Sequence, residues 1–120
     1  MKAVAPYLQV TPDCVAAGHS FVATDAEHRI LGVAQIHPGD AKHGNLDLLF
    51  VDPDQMGKGA GRVLYLEAAQ RLRDAGDTVM TILSDPGARG FYERMGAAFI
   101  EDRPSDVFKG RKLPWLEMRL

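Results

Sequence analysis

Apolar and polar residues alternate with a period of two in several short stretches of the chain, and this pattern predicts β-strands. The strand predicted most clearly covers residues 45–51 (NLDLLFV) and ends at Asp52-Pro53-Asp54. A hairpin is predicted where the polar segment 25–28 separates two apolar-rich stretches, residues 19–24 and 29–36. Gly32 interrupts the apolar face of the second strand.

The period lengthens in the middle of the chain, where residues 59–75 predict an amphipathic helix closed by Gly76. Its apolar positions recur every fourth residue, at Leu64, Ala68 and Leu72. Two shorter helices are expected where a capping residue precedes proline. They are a helix that starts at Thr11-Pro12 and ends near Gly18, and a helix over residues 86–95 that follows Asp85.

Three further strands complete the pattern, at residues 78–84, 97–102 and 113–120. The order of elements is helix, hairpin, strand, helix, strand, helix and two strands. This order predicts a mixed α/β fold with a right-handed strand–helix–strand unit at the centre of its sheet. Because 120 residues are the length of one domain, we expect residues 1–120 to form a single domain.

The composition is that of a soluble globular protein, and the net charge of −2 gives no general attraction to nucleic acid or to a membrane surface. No apolar run approaches the roughly 20 residues that span a bilayer, and the N-terminus does not resemble a signal peptide. Cys14 is the single cysteine, which excludes an internal disulfide and favours a reducing, cytoplasmic location. The four histidines lack zinc-binding spacing, so we expect no metal.

A glycine-rich turn, residues 56–62 (MGKGAGR), leads into the central helix. Glycine at every second position leaves backbone N–H groups free to approach an anion, and a helix N-terminus attracts negative charge. The pattern therefore favours a phosphate-binding turn. The alternative is a flexible connection whose glycines only permit close packing. The spacing GxGxG matches neither a P-loop nor a dinucleotide-binding GxGxxG turn.

Two segments resemble motifs of a known family. Residues 50–61 (FVDPDQMGKGAG) are similar to the acetyl-CoA motif of the GNAT superfamily of N-acetyltransferases, in which a V-x-P turn precedes Gln/Arg-Gly-x-Gly-x-Gly/Ala. Residues 85–97 (DPGARGFYERMGA) resemble that family's Asn-x-x-Ala-x-x-Phe-Tyr-Glu-x-x-Gly-Phe segment. The resemblance implies a GNAT-like acyl-CoA N-acyltransferase fold. Its sheet is mostly antiparallel, contains a splayed parallel strand pair and is flanked by helices.

The resemblance also implies acetyl-CoA as the co-substrate. Its pantetheine arm is expected to pair with the backbone of Leu49, Phe50 and Val51, and its diphosphate to lie on the amides of the glycine-rich turn. The turn residues implied are Met56, Gly57, Lys58, Gly59, Ala60, Gly61 and Arg62. Asp85 is expected to cap its helix and to add a ligand contact. Arg89 is expected to meet a CoA phosphate, or else to be an ordinary exposed helix arginine.

Three features depart from the family pattern. Met56 stands where Gln or Arg is usual, and Asp85 where Asn is usual. Only residues 1–18 precede the hairpin, whereas family members usually carry a strand and two helices there that help to wall the acceptor site. We therefore expect an acceptor site that is reduced or is completed by a second subunit.

Tyr92 lies at the position of the family's tyrosine and is expected to protonate the leaving thiolate. In this family the amine attacks the thioester directly, without an acyl-enzyme. A general acid in this place typically contributes about 10² to 10⁴-fold. The adjacent Phe91 is then expected to face the core. The alternative is that Tyr92 is itself a packing aromatic.

Asp47 is the candidate general base. Strict alternation places it on the same strand face as Asn45, Leu49 and Val51. The alternative is a solvated strand carboxylate. Two loop histidines are weaker candidates, His37 and His43.

The predicted function is transfer of an acetyl group from acetyl-CoA to a primary amine of a small molecule or peptide. The alternative is a CoA-binding regulatory module without a complete acceptor site. A homodimer is also expected, because a missing N-terminal layer would leave apolar surface for a second copy to cover.

Overall fold

The fold is built around a β-sheet. The computed structural model describes residues 9–12, 19–39, 42–55, 57, 59–104 and 110–120. The strands are β1 Gln9–Pro12, β2 Ser20–Thr24, β3 Ile30–His37, β4 His43–Val51, β5 Val79–Leu83, β6 Ala98–Pro104 and β7 Lys112–Arg119. The helices are α1 Ala60–Asp74 and α2 Arg89–Arg94, with 3₁₀ turns at Pro53–Gln55 and Pro86–Ala88.

The strand order across the sheet is β1-β2-β3-β4-β5-β7-β6. Within the described residues, β4 and β5 are the parallel pair and the other neighbouring strands are antiparallel. The connection between β4 and β5 contains α1. The predicted mixed α/β fold, with its mostly antiparallel sheet and central strand–helix–strand unit, is confirmed.

The helix start predicted at Thr11-Pro12 is wrong. Both residues belong to the edge strand β1, where Pro12 lies opposite Phe21. Proline is compatible with an edge strand because the missing N–H group need not reach a second neighbour. The rest of the predicted helix, residues 13–18, lies outside the described residues.

Helix α1 covers the central strands and forms the core with them. Its buried face includes Leu64, Tyr65 and Leu72, and its observed bounds lie within one residue of the predicted ones at each end. Gly32 lies at a tight contact between the sheet and this helix, because a Cβ atom there would lie 2.6 Å from the Phe50 carbonyl oxygen and 3.0 Å from Leu64 Cδ1. The interruption of the apolar pattern at Gly32 therefore marks close packing.

The predicted helix over residues 86–95 is divided into a 3₁₀ turn and the short helix α2. Asp85 precedes the turn in an extended conformation, and its carboxylate accepts a hydrogen bond from the Gly87 N–H at 3.0 Å. Asp85 is thus the predicted N-cap. Neither α1 nor α2, the helices of the described residues, has the length and apolar character needed to cross a membrane.

Candidate active site

The parallel strands β4 and β5 are paired only along the first half of β4, where residues 43–46 lie opposite residues 79–82. Their pairing ends where Leu46 lies opposite Ile82, whereas β4 continues to Val51 along its other neighbour, β3. Within the described residues, the β5-facing edge of residues 48–51 therefore has no strand partner. This opening is the splayed parallel pair that the family resemblance implied.

A β-bulge in β4 marks the point of divergence. Leu46 lies opposite Ile36 and Leu48 lies opposite Gln35, so Asp47 is an extra residue in the ladder. A bulge of this kind bends its strand and interrupts the regular alternation of side chains. The strand consequently turns away from β5 directly after Leu46.

The bulge corrects the predicted position of the Asp47 side chain. Leu49 and Val51 pack against the core beneath α1. The carboxylate of Asp47 instead lies with Asn45 on the opposite face, where the Asn45 side-chain amide donates a hydrogen bond to it. Thr81 Oγ1 in turn donates to Asn45 Oδ1 at 2.7 Å. Asp47 therefore shares a face with Asn45, as predicted, but not with Leu49 and Val51.

A pocket of about 740 Å³ lies between the second half of β4, the N-terminus of α1 and the segment 85–94. It brings together many of the predicted site residues, namely Leu49, Val51, Gly57, Gly59, Ala60, Gly61, Arg62, Asp85 and Tyr92. Four further lining residues were not predicted to contact a ligand, namely Gly87, Ala88, Phe91 and Arg94. The side chain of Phe50 lies outside the pocket, half exposed on the other face of the sheet.

The glycine-rich turn delivers free backbone donors to this pocket. Gly57 and Gly59 have φ values of 87° and 86°, a left-handed conformation that glycine adopts without strain. Gly59 is the N-cap of α1, and among the described residues no side chain caps the helix. The amides of its first turn therefore have no side-chain partner there, and the residues that carry them line the pocket. Met56 and Lys58, which the resemblance also implied, lie outside the described residues.

Among the described residues, two of the three arginines near the pocket line it, and the third does not. Arg62 and Arg94 line it with exposed side chains, and Arg62 Nη1 lies 3.9 Å from Met95 Sδ. Arg89 lies over the ring of Phe99, with Cζ 3.8 Å from the ring centre, and is not among the lining residues. Sequence reasoning missed Arg94, although its place two residues after Tyr92 in the second motif was a usable signal.

Tyr92 lies in the pocket wall and is only 6% exposed. Its ring packs 5.3 Å from Phe91 and 6.0 Å from Tyr65, measured between ring centres. Burial raises the pKa of Tyr92 above its ordinary value, and the nearby carboxylate of Asp85 raises it further. The phenol therefore stays protonated to higher pH than an exposed tyrosine would. Phe91, expected to face the core, packs against the core and also lines the pocket.

Comparisons with known proteins agree with this geometry. A family model described as "Acetyltransferase (GNAT) domain" matches residues 4–120. A GNAT family acetyltransferase from Elizabethkingia anophelis, solved with acetyl-CoA bound, has a TM-score of 0.79 at 12% identity, over 97% of this chain and 100% of that one. An acetyltransferase from Bacillus cereus has a TM-score of 0.71 at 22% identity, over 100% of this chain and 79% of that one. At such identities these structures show a shared fold.

A curated relative is also similar in sequence. The uncharacterized N-acetyltransferase ycf52 of Pyropia yezoensis is 28% identical over 78 residues, which are 65% of this chain and 44% of that protein. The match thus spans less than half of the relative's length. The family match over nearly the whole chain, together with the shared fold, is decisive: the chain belongs to the GNAT acetyltransferase domain family.

Proposed function

We propose that the chain transfers an acetyl group from acetyl-CoA to a primary amine by direct attack of the amine on the thioester. The pocket carries this proposal, because it joins the N-terminus of α1 to the open edge of β4 and to Tyr92. These three features supply an anion site, an unpaired backbone edge and a proton donor. A CoA thioester offers a matching group to each of them, namely its diphosphate, its amide groups and its leaving sulfur.

The lining residues fit the chemistry of the co-substrate. A diphosphate is an anion, and the free amides of the first turn of α1 attract one together with Arg62 and Arg94. The pantetheine arm contains amide groups, which can pair with the unpaired backbone of residues 49–51 as an added strand would. When bound, acetyl-CoA supplies the acetyl group as an activated thioester.

Two side chains handle the protons of the reaction in this proposal. Transfer forms a C–N bond and breaks a C–S bond, while the acceptor ammonium loses two protons, one to the thiolate sulfur and one to solvent. Asp47 takes the proton that must leave before the nitrogen can attack, directly or through water. The sulfur receives its proton from Tyr92, and Tyr92 regains one from the second proton that the nitrogen releases, while Asp47 passes the first proton to solvent. Since Asp47 and Tyr92 lie on opposite faces of the sheet, base and acid reach the gap from opposite sides.

Titration with acetyl-CoA, followed calorimetrically, tests the binding half of this proposal. We expect Arg94→Ala to weaken binding about threefold, the effect of losing one exposed charge contact. Arg73→Ala is the matched control, because Arg73 lies at the far end of α1 with its Nη1 3.0 Å from Gln70 Oε1. A protein that shows no saturable binding at millimolar acetyl-CoA would refute the proposal.

Release of free thiol from acetyl-CoA in the presence of primary amines tests the transfer half. We expect turnover that depends on both acetyl-CoA and the amine and that Asp47→Asn lowers strongly. Binding without turnover on any amine would instead favour the alternative of a CoA-binding module.

A further inference from the structure

Two large apolar side chains stand exposed on the outer face of the sheet, the face away from α1. Leu48 is 45% exposed and Phe50 is 52% exposed. They lie opposite Gln35 and Val33 of β3 on the same face. We call these four residues and Val22, which pairs with Val33 on β2, the outer strip. An exposed apolar patch of this kind is typical of a binding surface.

The outer strip is continuous with the proposed reaction site. Leu48 and Phe50 alternate along β4 with Leu49 and Val51, which line the pocket on the other face. The strand has no β5 neighbour here, so a molecule resting on the outer strip lies beside the gap where the acetyl group is expected. The strip is therefore placed to hold the body of an acceptor.

A carboxylate borders the outer strip on β4 itself. Glu117, which shares the outer face through its pairing with Thr81, lies two strands away and accepts a hydrogen bond from Trp115 Nε1. Asp47 directly precedes Leu48 in β4, and the bulge places its carboxylate on the outer face. The positions of β3 and β2 that lie across from the strip are uncharged, since Gln35 pairs with Ser20 and Val33 with Val22. One negative charge beside a neutral and largely apolar surface complements one ammonium group attached to an apolar body.

We propose that the acceptor is a primary monoamine with an aliphatic or aromatic body, whose ammonium group meets Asp47 and whose body covers Leu48 and Phe50. This inference rests on the proposed acetyl transfer and deepens it by naming the class of amine. A dication would leave its second charge against the apolar strip, and an acidic amine would place a carboxylate beside Asp47. Both arrangements are unfavourable because a charge loses hydration without gaining a partner.

A panel of amines tests this assignment in the thiol-release assay. We expect kcat/KM for hexylamine and 2-phenylethylamine to exceed that for ethanolamine, putrescine and glutamate by at least about tenfold, since single apolar groups in a binding site give discrimination of that order. We expect Leu48→Ala to lower kcat/KM for hexylamine about fivefold to tenfold, and to lower that for ethanolamine by a smaller factor because its short body covers less of the strip.

Leu66→Ala is the matched control, because Leu66 is 44% exposed but lies on α1 rather than on the outer face. The assignment is overturned if polar, dicationic or acidic amines are preferred, or if Leu48→Ala changes all amines equally. It is also overturned if light scattering shows a dimer that Leu48→Ala dissociates, because a second copy would then cover the strip. If acetyl-CoA neither binds nor releases thiol with any amine, the proposed acetyl transfer itself fails. Turnover that favours polar, dicationic or acidic amines would refute only the assignment of the acceptor.

Discussion

The two halves of β4 have opposite surroundings, although a single residue separates them. Directly before Asp47, Asn45 and Leu46 are paired on both edges, and Gly44 is so close to the helix that a Cβ there would lie 2.6 Å from Leu72 Cδ2 and 2.6 Å from Asp77 Oδ2. After Asp47 one edge is open and borders the pocket. One inserted residue thus divides a strand into a half that closes the core and a half that is free to bind.

This contrast predicts a separation of effects. Changes around the first half should lower the free energy of unfolding and leave the binding of acetyl-CoA by folded molecules intact. Changes around the second half should lower binding or turnover at nearly unchanged stability.

The largest effect is expected at Tyr92, which faces the open half. Tyr92→Phe removes the proton donor but keeps the packed ring, so kcat should fall about 10²- to 10⁴-fold. The KM for acetyl-CoA should remain within about twofold, because the phenol acts on the leaving sulfur rather than on binding. Since its pKa is raised, the wild-type donor should stay protonated beyond the ordinary range of tyrosine, and any alkaline loss of activity due to Tyr92 should occur later than that range.

A second tyrosine provides the control for this change. Tyr65 is fully buried, its ring centre lies 6.0 Å from that of Tyr92, and its hydroxyl donates to Met118 Sδ at 2.9 Å. Tyr65→Phe should lower stability slightly and leave kcat nearly unchanged. Equal losses of kcat in the two variants would mean that Tyr92 acts through packing.

The second-largest effect, a loss of stability, is expected in the half of β4 before Asp47. Gly44→Ala forces a methyl group against Leu72 and the Asp77 carboxylate, so we expect a loss of about 1–3 kcal/mol in the free energy of unfolding. For a domain of this size, each kcal/mol corresponds to a decrease in Tm of about 4–8 °C. Thermal unfolding measures this loss, and titration with acetyl-CoA below the transition should give wild-type affinity. An unchanged Tm would show that the close approach at Gly44 is not restrictive.

The sequence predicted the elements well where one physical signal dominates. The recurrence of apolar residues at every fourth position predicted the bounds of α1 to within one residue at each end. The glycine spacing predicted which amides would gather at the N-terminus of that helix, because few other sequences allow positive φ at Gly57 and Gly59. These are local effects of backbone and period.

Features that depend on pairing between strands were not predictable in the same way. The bulge at Asp47 is not visible in NLDLLFV, because residues 48–51 are all apolar and alternation no longer distinguishes the faces. Thr11-Pro12 carries a helix-start signal, yet pairing with β2 holds it in an edge strand. Whether Arg89 or Arg94 faces the pocket depends on how α2 packs against the sheet, which periodicity over six residues does not specify.

A chemically identical change in α1, beside the open half of β4, should have the opposite consequence from Gly44→Ala. At Gly61 a Cβ would lie 3.4 Å from Phe91 Cζ and 3.5 Å from Val51 Cγ2, which are ordinary contact distances. Gly61→Ala should therefore keep stability or raise it by up to about 1 kcal/mol, because alanine favours the helix. The added methyl group occupies the pocket wall, so we expect acetyl-CoA to bind about tenfold more weakly. Wild-type affinity in this variant would argue against ligand contact at the first turn of α1.

The smallest effect is expected at the boundary between the two halves of β4. There Thr81 donates a hydrogen bond to Asn45, and Asn45 donates one to Asp47. Thr81→Val keeps the shape but removes the donor, so the Asn45 amide loses the partner that fixes its orientation. Losing one such hydrogen bond corresponds to a decrease of about twofold to tenfold in kcat. Thr81→Ser restores the donor and should restore kcat, while the KM for acetyl-CoA should stay constant in both variants. Thr81 Oγ1 also donates a hydrogen bond to the Gly44 carbonyl oxygen at 3.2 Å, so its role could be purely structural. In that case Thr81→Val would lower Tm without changing kcat of the folded enzyme. That result would show that Thr81 does not orient Asp47.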